Sequence, residues 1–90
     1  MATTNHSAQW LILLDWFLTH PGEEITGRQI EDDLGIMNYK GRVFDVRKNG
    51  YPVERRWKEV PNRYGGMSKI AVYSLPKAFV QLVQLAQLQL

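Results

Sequence analysis

Two short helical segments separated by one glycine occupy residues 26–50, and this arrangement restricts the possible folds more than any other feature of the chain. Thr26 and Gln29 have the spacing of a capping box, in which each side chain accepts a hydrogen bond from the other residue's backbone N–H. The first of the two helices is therefore expected to begin at Thr26. It should end at Gly35, because glycine readily adopts the left-handed conformation that terminates helices.

The segment that follows predicts a second helix, which begins at about Asn38, a good capping residue, and ends at Gly50. Its apolar side is predicted to carry Ile36, Tyr39, Val43, Val46 and Gly50. Its outward side is predicted to carry Asn38, Gly41, Arg42, Asp45, Lys48 and Asn49. Arg47 projects toward the apolar side, so we expect it to pair with an acidic residue of the preceding helix.

Residues 52–75 have the pattern of a β-hairpin. One strand is expected within Val53–Val60, and the other within Lys69–Leu75, which is rich in β-forming residues. Residues 61–68 connect them as a protruding loop, in which Gly65-Gly66 marks the turn.

Strongly apolar helical segments flank this centre, at residues 7–19 and 76–90. Ser7 or Asn5 is the expected cap of the first, and Pro21 stops it. The polar residues of the last helix form one narrow stripe, which consists of Gln81, Gln84 and Gln87. Together the two helices display more apolar surface than a core of this size covers, which predicts a symmetric homodimer built from both. The alternative is a monomer in which the last helix packs on the first.

The predicted order is helix, short extended segment, two helices, a two-stranded hairpin and a C-terminal helix, all within a single domain of residues 1–90. Two short helices joined at a glycine turn and followed by a hairpin wing are typical of the winged helix-turn-helix, an α+β fold.

A family resemblance supports this interpretation. The stretch Arg42-Val43-Phe44-Asp45-Val46-Arg47-Lys48-Asn49-Gly50-Tyr51 resembles the R-I-x-D-L-R-x-x-G-Y stretch of small winged helix-turn-helix proteins common in bacteriophages and prophages. Residues 26–75 are similar to that family's domain, including the turn at Leu34-Gly35. The resemblance implies DNA binding without implying a particular operator. Phe44 departs from the family pattern, because it is bulkier and more apolar than the residue expected there, and an exposed Phe44 would indicate a contact with a partner.

Charge is distributed unevenly along the chain. Residues 1–37 contain six acidic residues and one basic residue, a net charge of −5, whereas residues 38–90 contain ten basic and three acidic residues, a net charge of +7. This asymmetry indicates that one face of the protein attracts a polyanion, although solvated charges can also segregate by chance.

The candidate DNA contacts follow from this pattern. On the second short helix, Asn38, Lys40 and Arg42 are predicted to meet base edges, and Lys48 a phosphate. On the hairpin, the predicted phosphate contacts are Arg55, Arg56, Lys58 and Lys69, and Arg63 in the loop is predicted to enter the minor groove.

Other classes of protein fit the sequence poorly. The chain has no cysteine, and its histidines lack the spacing of metal ligands, so we expect no metal site, no cofactor and no enzymatic activity. Glu31, Asp32 and Asp33 point in different directions on a helix and do not converge on an ion. No segment has the form of a signal peptide or a membrane span, so a cytoplasmic protein is expected.

Three functions remain open at this point. The first is a sequence-specific regulator that binds double-stranded DNA, in transcription or in assembly of a recombination complex. The second is a phage-encoded module that uses the same fold to inhibit or recruit a host protein. The third is single-strand binding through Trp57 and Tyr64, although a tryptophan in a strand more often belongs to the core or covers the sheet.

Overall fold

The computed structural model describes residues 6–88 of the chain. Its elements follow in the order α1 (His6–Thr19), β1 (Ile25–Thr26), α2 (Gly27–Leu34), α3 (Tyr39–Lys48), β2 (Glu54–Pro61), β3 (Met67–Ser74) and α4 (Lys77–Leu88). Of the two predicted caps of the first helix, Ser7 lies within α1 and Asn5 lies outside the described residues.

The N-terminus of α2 has the predicted capping box. The backbone N–H of Thr26 donates to Gln29 Oε1 at 2.9 Å, and the backbone N–H of Gln29 donates to Thr26 Oγ1 at 3.1 Å. Gly35 ends the helix with a φ of 68°, in the left-handed region where glycine is favoured. Both signals are local, and both are confirmed.

The cap of α3 is also confirmed, in an unusual conformation. Asn38 lies in the left-handed region, with a φ of 54°, which asparagine tolerates better than most residues. Its Oδ1 accepts a hydrogen bond from the backbone N–H of Gly41 at 3.4 Å. The helix ends at Lys48, just before Asn49 and Gly50.

The sheet has three antiparallel strands in the order β1-β3-β2. The short β1 pairs with β3, so the predicted two-stranded wing gains one strand at its base. The connection between β2 and β3 is shorter than predicted, because both strands extend further than the sequence indicates. Asn62 organises the turn, since its Oδ1 accepts from the backbone N–H groups of Tyr64 and Gly66 at 2.9 and 3.1 Å.

The core lies between the helices and the base of the sheet. Its largest fully buried side chains come from every layer of the fold, namely Leu13, Phe17, Ile30, Ile36, Val46, Leu75 and Val80. The predicted apolar side of α3 is largely confirmed, since Ile36, Val43 and Val46 are all buried. α1 packs on α3 and contributes Leu13, Leu14 and Phe17 to the core.

The C-terminal helix α4 contributes mainly its first turn to this core. Val80 is buried, and the ring of Phe79 packs edge-on against Tyr51 with 6.0 Å between centroids. Beyond that turn Leu82 and Leu85 are 65% and 55% exposed. Within residues 6–88, no helix is long and apolar enough to cross a membrane.

Candidate nucleic-acid interface

The outward side of α3 presents a ridge of three exposed side chains, Lys40, Phe44 and Lys48, which we call the α3 ridge. Successive members are four residues apart, so they stand one above the other on adjacent turns of the helix. Phe44 is 62% exposed, and Met37, just before the helix, is 75% exposed. The α3 ridge therefore combines two cations with a large apolar side chain in water.

Arg42 is not on this outward side, and its predicted contact with a base edge is not compatible with its position. Only 6% of the residue is exposed. Its Nε donates to Asp45 Oδ2 at 2.9 Å. Its Nη1 is buried and has no hydrogen-bond partner among the described residues. The helical projection assigns Arg42 to the outward side, whereas tertiary packing extends the buried area of α3 over it.

Asn38 and Arg47 form hydrogen bonds at the two ends of α3. The side-chain oxygen of Asn38 caps the helix, so its exposed amide group is the part left for a ligand. Arg47 is exposed, and its Nε donates to the backbone oxygen of Val53 at 2.9 Å. The predicted pairing of Arg47 with an acidic residue of α2 is wrong, because the side chain reaches the backbone just before β2 instead.

The cations of the hairpin divide between its two faces. In the antiparallel register Arg55 lies opposite Tyr73 and Trp57 lies opposite Ala71, so these residues share the face that looks toward the helices. Arg56 and Lys58 alternate with them and lie on the other face. There they approach Glu24, with N–O distances of 3.5 and 3.8 Å. The structure therefore separates Arg56 and Lys58 from the other predicted contacts.

Trp57 is 63% exposed, so it does not belong to the core. The guanidinium carbon of Arg55 lies 5.5 Å from the centre of its ring, within the range of a cation–π contact. The ring thus supports the Arg55 side chain on the helix-facing side of the hairpin. Arg63 and Tyr64 are exposed in the turn between the strands.

A concavity of about 470 Å³ lies between this face of the hairpin and the N-termini of α2 and α3, and we call it the basic cradle. Its charged lining residues are all cationic, namely Arg28, Lys40, Arg55 and Lys69. The aromatic side chains in its wall are Tyr39, Trp57 and Tyr73. No carboxylate of the described residues lines it. Cations from α2, α3 and both hairpin strands thus converge on one surface.

Arg28 was not among the contacts predicted from the sequence. It is the second residue of α2, where a positive charge opposes the helix dipole. Its Nε lies 3.5 Å from Asp32 Oδ2, and both side chains are well exposed. An exposed pair of this kind contributes little stability. The unfavourable placement of a cation at a helix N-terminus is the sequence signal that could have indicated a ligand at this position.

Close packing of an aromatic ring on a glycine forms the floor of the basic cradle. A Cβ atom on Gly27 would lie 2.3 Å from Cζ of Tyr39, so the ring of Tyr39 rests on the backbone of α2. The same ring meets Tyr73 edge-on, with 6.0 Å between centroids. Burial raises the pKa of the Tyr73 hydroxyl, and the neighbouring Tyr39 raises it further.

Comparison with known protein families identifies this arrangement. The family model for the winged helix-turn-helix domain matches residues 15–78, which include α2, α3 and the whole hairpin. The chain belongs to this family. The fold class predicted from the sequence is confirmed, and membership of the winged helix-turn-helix family supports DNA binding. A comparison with curated proteins gave no match.

Proposed function

We propose that this winged helix-turn-helix protein binds double-stranded DNA at specific sequences. In this proposal α3 enters the major groove and the hairpin lies over the adjacent backbone, which is the docking mode open to a helix of this kind. The observation that carries the proposal is the basic cradle. Four cations from separate elements face one concave surface beside the α3 ridge, and a nucleic-acid backbone is the ligand that such a surface attracts.

Each cation has a distinct role in this proposal. Lys40 begins the α3 ridge and is positioned to reach the groove edge, whereas Arg28, Arg55 and Lys69 bind phosphates. Lys48 meets a phosphate at the far end of α3. Arg63, in the exposed turn of the hairpin, reaches the minor groove. Arg56 and Lys58 stay with Glu24 and add only to the long-range attraction.

The biological role that we propose is that of a phage-type transcriptional regulator, acting in the cytoplasm without enzymatic activity or a cofactor. We further propose a homodimer that uses α1 and α4, because the outer half of α4 exposes Leu82 and Leu85, which the described part of the chain leaves uncovered. A two-fold dimer presents two copies of α3 to one duplex and favours a palindromic site.

The experiment that tests the proposal is selection of bound duplexes from a random pool at physiological salt, followed by salt titration of the best duplex. Replacing Arg55 or Lys69 with alanine is expected to lower the slope of log affinity against log salt by about one for each phosphate that is no longer neutralised. Lys77→Ala, on α4 and outside the basic cradle, is the matched control and should leave the slope unchanged. A pool that yields no enriched duplex, or slopes equal for all three variants, would refute the proposal.

The second candidate function is a protein-binding module that inhibits or recruits a host protein. The observation in its favour is the exposure of Phe44 on α3, the helix that the first proposal sends into DNA, and of Met37 just before that helix. This candidate requires a complex of fixed stoichiometry that survives nuclease and high salt and is absent for Phe44→Ala. Enrichment of a duplex whose binding is competed by salt would argue against it.

A further inference from the structure

The exposed phenylalanine in the middle of the α3 ridge has no role in binding phosphate. Phe44 lies one helical turn from Lys40 on one side and from Lys48 on the other. It is 62% exposed, so the fold forgoes the burial of one of the largest apolar side chains. Solvent exposure also means that the core does not require a ring at this position.

The same helix offers few groups that can read bases by hydrogen bonding. Arginine is the usual residue for guanine, but Arg42 is buried with Asp45 and does not reach the surface. The Nε of Arg47 is occupied by the backbone of Val53. The outward residues that remain on the α3 ridge are two flexible lysines and a phenylalanine. An apolar contact by Phe44 can therefore add discrimination to the hydrogen bonds that the lysines and the exposed amide of Asn38 offer.

The major-groove edge of DNA has one prominent apolar group, the C5-methyl of thymine, and phenylalanine is among the side chains that contact it. We propose that Phe44 reads a thymine methyl group and makes this protein selective for A·T pairs in the part of the site that α3 contacts. The inference rests on the proposed function, since it names the bases that the same docked helix recognises. Met37, also exposed at the start of the helix, extends the apolar surface toward a neighbouring base.

Charge around the phenylalanine favours DNA over a protein as its occupant. Lysines flank Phe44 within the ridge, and the adjacent basic cradle has no carboxylate among its described lining residues. A stable protein interface buries on the order of 800 Å² on each partner, whereas one phenylalanine supplies about 150–250 Å². A phenylalanine between two lysines suits the major groove, where a thymine methyl group lies between two phosphate backbones, better than it suits a protein surface.

The test replaces thymine with uracil, which removes the methyl group and leaves the hydrogen-bonding edge unchanged. The duplex is the strongest one selected from the random pool, and each thymine is replaced in turn. For the wild-type protein we expect a loss of about four-fold in affinity at one or two positions, the factor that corresponds to one buried methyl-sized group. Phe44→Ala should bind more weakly overall and should no longer distinguish thymine from uracil at those positions.

Two control variants make the result specific. Phe44→Leu keeps an apolar side chain and should retain part of the discrimination, while Tyr64→Ala, exposed in the hairpin turn, should retain all of it. If wild-type protein binds the uracil duplexes as tightly as the thymine duplex, the inference is wrong and the proposed function stands. If uracil weakens wild type and Phe44→Ala equally, the effect belongs to the DNA and the inference is also wrong. If no duplex is selected at all, both the function and the inference fall.

Discussion

At the scale of single residues, Arg42 is predicted to contact DNA from the surface, but the structure buries its side chain. Its Nε donates to Asp45, three residues further on, a spacing at which side chains on a helix are neighbours. In the structure Arg42 lies in the interior, where its charge is removed from most solvent. A buried cation is tolerated only while its partner is present, so this pair contributes to the stability of the fold rather than to the reading of a base.

Arg42→Ala is accordingly expected to destabilise the protein. The change removes a packed side chain and leaves Asp45 without its partner, which we expect to lower the free energy of unfolding by about 1–3 kcal/mol. Chemical denaturation measures this loss, with Lys48→Ala as a control at an exposed position of the same helix. Binding assays at a temperature where both variants are folded should give the Arg42→Ala variant the base preferences of the wild type. A relaxed preference at one guanine would show instead that Arg42 leaves the interior to bind DNA.

Tyr73 predicts a dependence of stability on alkaline pH. Burial raises the pKa of its hydroxyl in the folded protein, so the unfolded chain loses that proton first as the pH rises. Its contribution to stability is therefore fully present below pH about 10, the ordinary tyrosine pKa, and is lost as the pH rises through the folded value. Denaturation curves between neutral pH and pH about 11 should show this decline. The decline should be smaller in Tyr73→Phe, and equal slopes in both proteins would contradict the assignment.

At the scale of elements, the N-terminus of α2 and the face of α3 are held together by contact between Gly27 and Tyr39. The ring occupies the space that any larger residue at position 27 would need. This packing aligns the first turns of both helices beside the hairpin, and so it fixes the spacing between Arg28 and Lys40 in the basic cradle.

Gly27→Ala should therefore disturb the basic cradle as well as the stability of the protein. Alanine favours a helix more than glycine by about 1 kcal/mol, yet here its Cβ would overlap the Tyr39 ring, so we expect a net loss of stability. The double variant Gly27→Ala/Tyr39→Ala removes the overlap and should lose less than the sum of the single changes. Denaturation of the three variants measures this difference. Additive losses would show that the ring moves aside without cost.

The ends of the helices could be predicted from the sequence, whereas contacts between distant elements could not. Thr26 and Gly35 were assigned correctly because capping depends on residues only a few positions away. The pairing of β1 with β3 was missed, because Ile25 and its partner Tyr73 are far apart in the sequence. The position of Arg28 in the wall of the basic cradle was missed for the same reason, because it depends on a hairpin that begins far along the chain. Contacts that decide a site over such separations are set by tertiary packing, which a single sequence encodes only indirectly.

At the scale of the whole molecule, the protein is more extended than its length requires. The radius of gyration is 14.7 Å, whereas about 12 Å is typical of a folded chain of this size. The outer half of α4 agrees with this, because Leu82 and Leu85 lie exposed. The monomer in which the last helix packs on the first, the alternative that the sequence left open, stays a prediction, as does the homodimer.

The exposed leucines of α4 make the proposed homodimer directly testable. Leu82 and Leu85 are three residues apart and share one side of the helix, so a partner helix can cover both. Wild-type protein is expected to sediment as a dimer at micromolar concentration, and Leu82→Glu or Leu85→Glu should shift it to a monomer, since each places a charge at the interface. Gln84→Glu adds the same charge on the polar stripe and should leave the dimer intact.

DNA binding gives the dimer a second, independent readout. Two copies of α3 related by a two-fold axis select inverted half-sites about one turn of the duplex apart, so the wild-type protein should enrich palindromes. A monomeric Leu85→Glu variant keeps the basic cradle and the α3 ridge, and it should bind one half-site with reduced affinity and no preference for symmetry. Wild-type protein that sediments as a monomer at micromolar concentration and enriches only unsymmetrical sites would rule out the dimer, while leaving the recognition surface of the single domain as described.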